Sequence, residues 1–199
     1  MATGIILAGG RSSRFGSDKA WALLDGRPLL AHVAAALGGD CDDLVVVCRR
    51  DQPLPPTDVT APLTLAFDAV EGEGPLAGLV AGLEAAADDA CFVASCDAPL
   101  LQPQVVRLLL AKLPGHAAVV PIIGGREQPL AAAYDRSVAV DALRAAFETG
   151  VRRLSEAVMS LHPLVVSEDE VRAVDARLWS FANVNDPAEL AALAARRFG

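Results

Sequence analysis

The chain has 199 residues, which at about 150 residues per domain predicts a single domain. Hydrophobic residues make up 53% of the chain and charged residues 21%, a composition that fills a core and excludes a disordered or collagen-like protein. Lys and Arg number 17 against 25 Asp and Glu, and the net charge of −8 repels a phosphate backbone. We therefore expect no nucleic-acid partner.

The cysteines do not form a CxxC zinc or redox motif, because the spacing within each near pair is too wide. We expect all of them to be reduced and buried, at Cys41, Cys48, Cys91 and Cys96. Gly, Pro or a charge interrupts every apolar run before the roughly 18 residues that span a bilayer, and no charged leader precedes the first run. These features predict a soluble, cytoplasmic protein with no membrane partner.

Apolar runs, which predict buried strands, alternate along the chain with amphipathic segments, which predict helices. This alternation of strands and helices predicts a parallel sheet. The connection between Pro53 and Pro62 contains four prolines and is predicted to lie on the surface. In chain order we predict a strand at residues 4–8, a polar loop at 11–19, a helix at 28–37 with Pro28 in its first turn, strands at 44–47 and 63–67, a helix at 76–87, a strand at 91–95, a helix at 104–113, strands at 117–120 and 130–134, a helix at 138–147 and a last helix that begins at Asp186.

One connection between two predicted strands departs from this alternation of strands and helices. The nine residues between Val120 and Leu130 are too few for a crossover helix, so they predict an antiparallel hairpin. The fold that follows is a single three-layer, Rossmann-like α/β domain with a mostly parallel twisted sheet. Ligands bind such sheets at the carboxyl ends of the strands, which is where we look for a site.

The most informative segment follows the first strand and reads Leu7-Ala8-Gly9-Gly10-Arg11-Ser12-Ser13-Arg14-Phe15-Gly16-Ser17-Asp18-Lys19. Glycines at a strand end let backbone N–H groups approach phosphate oxygens or a base edge. The segment is neither a Walker A loop nor a GxGxxG loop. Residues 1–30 hold four basic and two acidic side chains, a local positive surplus that favours an anionic ligand; an ordinary strand-to-helix turn is the alternative.

Two carboxylates stand at the ends of predicted strands. Mg²⁺ takes one or two protein carboxylates and fills its coordination shell with phosphate oxygens and water, which makes Asp97 a candidate ligand. The alternative for Asp97 is a turn aspartate. Asp68 follows the strand at residues 63–67, and glycines on both sides of Pro75 allow a ligand to approach the backbone closely.

Three further groups of polar residues are weaker candidates. Alternation would place the carboxamides of Asn183 and Asn185 on one side of a strand, where they could bind phosphate or base or satisfy a turn. The pair Arg152-Arg153 could face a second anionic substrate or simply be solvated. The histidines, His32, His116 and His162, have no partners for a Ser-His-Asp or Cys-His set.

Taken together, these motifs resemble those of nucleotidyltransferases, and among them the molybdenum cofactor guanylyltransferases. The resemblance covers nearly the whole chain in the family's order. It rests on the loop from Leu7 to Lys19, on Asp25-Gly26-Arg27-Pro28-Leu29, Gly74-Pro75-Leu76-Ala77-Gly78, Cys96-Asp97-Ala98-Pro99 and Gln128-Pro129-Leu130, and on Asn183-Val184-Asn185-Asp186-Pro187.

The resemblance implies roles for individual residues. Catalysis would depend on Arg14, Lys19 and Asp97, with Asp97 holding Mg²⁺ as the cofactor. GTP would be bound by Leu7, Ala8 and Gly9 through their backbone, and by Gly10, Lys19, Asp68, Gly74, Gly78 and Asp97; Arg153, Asn183 and Asn185 would lie on the acceptor side. The chain departs from the family at Cys48, where a member can carry an asparagine that contacts GTP, because sulfur is a weaker hydrogen-bonding group.

The activity implied by the resemblance is transfer of GMP from GTP to the terminal phosphate of Mo-molybdopterin, with release of pyrophosphate. Residues of about 1–100 would bind the nucleotide and about 101–199 the acceptor, and molybdoenzyme apoproteins or their chaperones would be further partners. Two alternatives remain open: a relative that uses CTP or a sugar-phosphate acceptor, and a non-catalytic module that delivers the cofactor.

Overall fold

The computed structural model describes residues 1–9, 18–67 and 74–197. None of the helices in this part of the chain combines the length and the apolar character needed to cross a bilayer. The strands are β1 (Thr3–Leu7), β2 (Leu23–Leu24), β3 (Arg27–Pro28), β4 (Asp43–Cys48), β5 (Leu63–Phe67), β6 (Ala90–Ser95), β7 (Ala118–Ile123), β8 (Arg126–Glu127), β9 (Ala131–Asp135) and β10 (Leu164–Val166). The helices are α1 (Leu29–Leu37), α2 (Pro75–Ala85), α3 (Pro103–Lys112), α4 (Arg136–Glu148), α5 (Leu154–Met159), α6 (Glu168–Arg172) and α7 (Pro187–Arg197), with 3₁₀ turns at Lys19–Trp21 and Trp179–Phe181.

The main sheet has the strand order β10-β7-β9-β6-β1-β4-β5, with β8 paired to β7. Strand β1 is central and runs parallel to both neighbours, with Leu7 opposite Val47 of β4 and Ser95 of β6. Only β8 and β9 are antiparallel to their partners within the sheet. The predicted three-layer α/β domain with a mostly parallel sheet is confirmed, and the carboxyl ends of β1, β4 and β6 lie side by side.

Helices cover both faces of the sheet because the central strands are apolar on both sides. Ile6 and Val46 pack with α1, α3 and α6, whereas Ile5 and Val45 pack with α2, α4 and α5. A third, smaller group packs α7 against the β2–β3 ribbon, the start of α1 and the segment after β6. We refer to it as the terminal cluster, and its buried members are Leu24, Leu29, Leu100, Val184 and Leu193.

The antiparallel excursion predicted after Val120 is confirmed. Gly124 and Gly125, at φ of 57° and 73°, turn β7 back into β8, and left-handed backbone at both turn positions matches the twist of a hairpin. Strand β9 then returns antiparallel between β6 and β7.

The position predicted for Pro28 was wrong by one residue. Pro28 is the N-cap of α1 rather than part of its first turn, because it also ends the β2–β3 ribbon opposite Leu23.

Sequence reasoning missed the short elements. The β2–β3 ribbon is closed by Asp25-Gly26, both with positive φ, which is a common hairpin turn pair. Helix α6 begins with a capping box in which Ser167 and Glu170 bond reciprocally, and this Ser-x-x-Glu spacing could have revealed it. The predicted start of the last helix is confirmed, since Asp186 Oδ1 accepts the N–H of Glu189 at 2.8 Å.

All four cysteines are free and buried, as predicted. Burial raises the pKa of Cys41, Cys91 and Cys96 to about 12, and it also raises the pKa of Cys48. Since the thiolate is the reactive form, we expect the folded protein at pH 8 to react with a thiol reagent far more slowly than free cysteine, and four thiols to titrate after unfolding in guanidinium. A thiol that reacts rapidly in the folded protein would contradict this expectation.

Replacing Gly82 by alanine is expected to destabilise the protein by about 1–3 kcal/mol, the usual cost of overpacking a core. A Cβ at this sheet-facing position of α2 would lie 2.5 Å from Cγ2 of Ile5 and 3.1 Å from Cγ2 of Val47. Both neighbours are β-branched and held in central strands, so neither can rotate away cheaply. Urea unfolding measures the effect. Gly39→Ala is the control because nothing lies within 4 Å of its added Cβ, and equal losses at both sites would contradict the argument.

Candidate active site

The structure brings Lys19 and Asp97 together, although they are 78 positions apart in the chain. Lys19 Nζ donates to Asp97 Oδ2 at 2.9 Å, and the two side chains are only 15% and 19% exposed. Lys19 comes from the 3₁₀ turn that follows β1 in the chain, and Asp97 lies two residues after β6. The two motifs singled out in the sequence therefore meet at one site, at the carboxyl edge of the sheet.

The second carboxylate oxygen of Asp97 is the notable polar atom of the site. Oδ1 is buried and accepts no hydrogen bond from any residue that the structure describes. Leaving a buried charged acceptor unsatisfied is costly, so this oxygen is suited to a cation or donor that arrives with a ligand. No group of three or more His, Cys, Asp or Glu side chains converges within the described residues. A lone carboxylate fits Mg²⁺, which takes most of its ligands from phosphate and water.

The backbone holds Asp97 in place from both sides. The N–H of Cys96 donates to the carbonyl of Leu7 at 3.0 Å, which fastens the end of β6 to the end of β1. The N–H of Val184 donates to the carbonyl of Asp97 at 2.8 Å, and Val184 is fully buried in the terminal cluster. The carboxylate is thus carried on a turn that β1 and the segment before α7 fix together.

Lys19 is positioned by its neighbours in the 3₁₀ turn. Asp18 Oδ1 accepts the N–H of Ala20 at 3.1 Å and caps the turn, while the methyl group of Ala20 is fully buried against α1 and its neighbours. Asp18 Oδ2 also lies 3.4 Å from Nη2 of Arg49, which follows β4. These contacts direct the Lys19 side chain across the edge of the sheet towards Asp97.

A polar cleft of about 90 Å³ opens beside Asp97. Its polar lining residues are Ser95, Asp97, Gln128, Ser180 and Asn183. The buried carboxylate of Asp175 shapes one wall, because it accepts the N–H groups of Trp179 at 3.0 Å and Ser180 at 2.8 Å. Sequence reasoning missed Ser180 and noted Gln128 only as part of a motif, because long-range packing that no local pattern reports brings both residues to the cleft.

The predicted strand at Asn183 and Asn185 was wrong, because residues 182–185 form neither a strand nor a helix. The side chain of Val184 enters the terminal cluster, and Asn183 on one side of it lines the cleft. Asn185 is exposed, does not line the cleft, and donates its N–H to Oε2 of Glu189 at 2.6 Å at the start of α7. Packing of the Val184 side chain, rather than strand alternation, determines where Asn183 and Asn185 lie.

The backbone at the end of β1 is already engaged within the protein. The N–H groups of Ala8 and Gly9 donate to the carbonyl of Val47 at 2.9 and 3.1 Å. The expectation that glycine N–H groups point at a ligand is therefore not met at Gly9. That Leu7, Ala8 and Gly9 contact the nucleotide through other backbone atoms stays a prediction.

Two of the predicted glycines have different surroundings. Gly74 has a φ of 92° at the N-cap of α2, and a Cβ there would lie 3.9 Å from the carbonyl oxygen of Arg152. Gly78 faces the sheet, where an added Cβ would lie 3.8 Å from side-chain atoms of Leu7 and Val47. These are ordinary van der Waals distances, so packing alone does not require glycine at position 78, and the contribution of Gly78 to nucleotide binding stays a prediction.

The remaining predicted residues either do not line the cleft or lie outside the described part of the chain. Arg152 stacks on Phe147 at 4.4 Å, whereas Arg153 is exposed at the N-cap of α5. Cys48 is buried at the end of β4, and its weak contact with GTP stays a prediction. The positions outside the described residues are Gly10, Arg14 and Asp68.

Comparison with known proteins decides the family. Residues 4–164 match the family described as the MobA-like NTP transferase domain. The chain belongs to this family. It is accordingly a nucleotidyltransferase, and the MobA-like domain spans the sheet from β1 to the first residue of β10.

Individual MobA-like relatives agree with this assignment along nearly their whole length. The chain is 35% identical over 190 residues to the molybdenum cofactor guanylyltransferase of Desulfosudis oleivorans, covering 94% of this chain and 92% of that protein. It is 35% identical over 201 residues to a probable molybdenum cofactor guanylyltransferase of Haloferax mediterranei, covering 98% and 93%. The crystal structure of molybdopterin-guanine dinucleotide biosynthesis protein A from Archaeoglobus fulgidus superposes with a TM-score of 0.80 at 26% identity, covering 98% of both chains.

Proposed function

We propose that this protein transfers GMP from GTP to the terminal phosphate of Mo-molybdopterin, giving the guanine dinucleotide cofactor and pyrophosphate. The observation that carries the proposal is the 2.9 Å pair of Lys19 and Asp97, in which Asp97 lines the cleft and has one buried carboxylate oxygen unsatisfied by the described residues. Relatives at 35% identity that carry the guanylyltransferase name support this choice of donor and acceptor.

The chemistry needs no nucleophile from the protein. An oxygen of the acceptor phosphate attacks the α-phosphorus of GTP, forming a new P–O bond as the bond to the departing pyrophosphate breaks. A phosphate monoester is largely ionised at neutral pH, so no general base is required, which agrees with the absence of a paired histidine in the sequence motifs. Catalysis then consists of alignment and charge neutralisation.

The proposed roles combine the positions of Lys19 and Asp97 with the roles that the family resemblance implies for other residues. Lys19 neutralises charge on the triphosphate, and Asp97 would hold Mg²⁺, which would supply further neutralisation of phosphate charge when bound. Arg14 would assist Lys19, while Gly10, Asp68 and Gly74 would complete the nucleotide side. The acceptor side uses the cleft with Gln128, Ser180 and Asn183, and the resemblance adds Arg153 and Asn185 to this side. We further propose that the reaction takes place in the cytoplasm and that its product passes to molybdoenzyme apoproteins or their chaperones.

Pyrophosphate release tests the proposal directly. The purified protein is supplied with Mo-molybdopterin, Mg²⁺ and one nucleoside triphosphate at a time. We expect rapid release with GTP, slow release with CTP, and none when the acceptor or Mg²⁺ is omitted. A preference for CTP would overturn the choice of base, and no release with any nucleotide at saturating acceptor would favour a cofactor-delivery module.

A further inference from the structure

Gln52 is buried although it stands in the surface connection between β4 and β5. Its side chain is one of few polar groups in the core, at 8% exposure for the residue, and glutamine is mostly an exposed residue. Its Oε1 accepts the N–H of Arg49 at 3.1 Å, and its Nε2 donates to the carbonyl of Ala8 at 3.0 Å. Both ends of the amide are therefore used, and one of them reaches the first residues after β1.

Gln52 belongs to a turn that contacts both flanks of the segment between Gly9 and Asp18. The N–H of Gln52 donates to the carbonyl of Arg49 at 3.1 Å and closes the turn. From the same turn, Arg49 Nη2 lies 3.4 Å from Asp18 Oδ2, next to Lys19. Residues 49–52 thus connect the end of β1 with the 3₁₀ turn that presents Lys19.

The bond from Gln52 fixes one particular peptide unit. The unit that joins Ala8 to Gly9 has two polar atoms, the carbonyl oxygen of Ala8 and the N–H of Gly9. The oxygen accepts from Gln52 Nε2, and the N–H donates to the carbonyl of Val47. With both atoms bonded, rotation of this peptide would break two hydrogen bonds at once, in a place where Val47 and Gln52 are themselves buried.

We propose that Gln52 is a positioning residue for nucleotide binding, which acts by holding the Ala8–Gly9 peptide in its binding orientation. The proposal rests on the proposed function and on the prediction, implied by the family resemblance, that the backbone at Ala8 and Gly9 contacts the nucleotide. Without the Nε2 donor, the Ala8–Gly9 peptide samples other orientations before GTP binds. The free-energy cost of ordering this peptide on binding then reduces the affinity for GTP. We expect the KM for GTP to rise about five- to tenfold, the effect of one hydrogen bond, with kcat and the KM for the acceptor nearly unchanged.

Gln52→Glu keeps the size and the Oε1 acceptor of the side chain and replaces the Nε2 donor by a negatively charged carboxylate oxygen. Gln52→Met removes the donor without adding a charge, so weaker GTP binding in both variants is required to assign the effect to the donor. The matched control is Gln102→Glu: Gln102 Nε2 also donates to a backbone carbonyl, that of Leu100, at 2.8 Å, but at the start of α3. Calorimetric titration with Mg²⁺-GTP and steady-state kinetics are measured on each protein, with thermal unfolding as the check of folding.

The expected result is weaker GTP binding in the folded Gln52 variants and none of this loss in Gln102→Glu. Unchanged GTP affinity in a folded Gln52 variant would overturn the proposal, as would a fall in kcat at constant KM. The same titrations are run with CTP. If the wild-type protein prefers CTP, the proposed function names the wrong nucleotide base. The ratio of the CTP affinities of the wild type and the variant then still tests the role of Gln52. If the wild-type protein binds neither nucleotide, both proposals fail.

Discussion

Asp97→Asn is expected to lower turnover by at least a hundredfold while the protein stays folded. Asparagine has the same shape as aspartate but no charge, so Lys19 loses the negative charge of the partner that lies 2.9 Å from it and the proposed Mg²⁺ loses its anionic protein ligand. Removing one preorganised charge-stabilising group costs on the order of 3 kcal/mol, or about a hundredfold in rate. The loss should exceed this value because the anchor of the metal leaves with the charge.

Pyrophosphate release at saturating GTP and acceptor measures this effect, and a Mg²⁺ titration shows whether the variant needs more metal. The control is Asp89→Asn, which removes an ion-paired carboxylate 3.1 Å from Arg136 at the opposite end of the same strand, β6. Asp89→Asn should retain full turnover. Near-normal activity of Asp97→Asn would remove the basis for assigning the metal to this carboxylate.

Lys19→Met is expected to reduce kcat/KM for GTP by about a hundredfold, the typical effect of losing one preorganised cation in a shielded site. Methionine keeps much of the apolar stem of the side chain and removes only the ammonium group. The Lys19 side chain is 15% exposed, so water screens its charge poorly and its attraction for a triphosphate is correspondingly strong. Kinetics with GTP at fixed acceptor concentration measure the loss.

Lys112→Met is the matched control, since Lys112 forms a 3.0 Å ion pair with Glu170 on the exterior of the fold. It should leave kcat/KM unchanged. The double variant Lys19→Met with Asp97→Asn separates two roles for the lysine. If Lys19 only neutralised Asp97, its removal would cause no further loss in the Asp97→Asn background; a substantial further loss shows that the lysine acts on the substrate itself.

The sequence predicted the order of the main elements because each central strand is an uninterrupted apolar run between turn residues. The meeting of Lys19 and Asp97 could also be predicted, since the carboxyl ends of adjacent parallel strands share one edge of the sheet. The hairpin after Val120 could be predicted from the short length of the connection between Val120 and Leu130 alone. These are local or topological rules, and they predicted the edge that carries the site, whereas the family was predicted from the resemblance of the motifs.

The rest depends on contacts between distant parts of the chain. Nothing near Gln52 in the sequence shows that its amide reaches Ala8, and nothing near Gly82 shows that Ile5 packs against it at a distance that excludes a methyl group. Strand β10 has only three residues, which are too few to show the two-residue alternation by which a strand is recognised in a sequence. Strand alternation predicted that Asn185 lies on the same side as Asn183, but burial of the Val184 side chain determines how this segment packs.

The terminal cluster has a consequence for the order in which the protein matures. Strands β1, β4 and β6 are complete by Ser95, so the middle of the sheet can form while the ribosome is still adding residues. The turn that bears Asp97 is tied to Val184, and Val184 packs with Leu193 of the last helix. A growing chain can therefore form the middle of its sheet before the turn that bears Asp97 gains its contacts with residues 184–193.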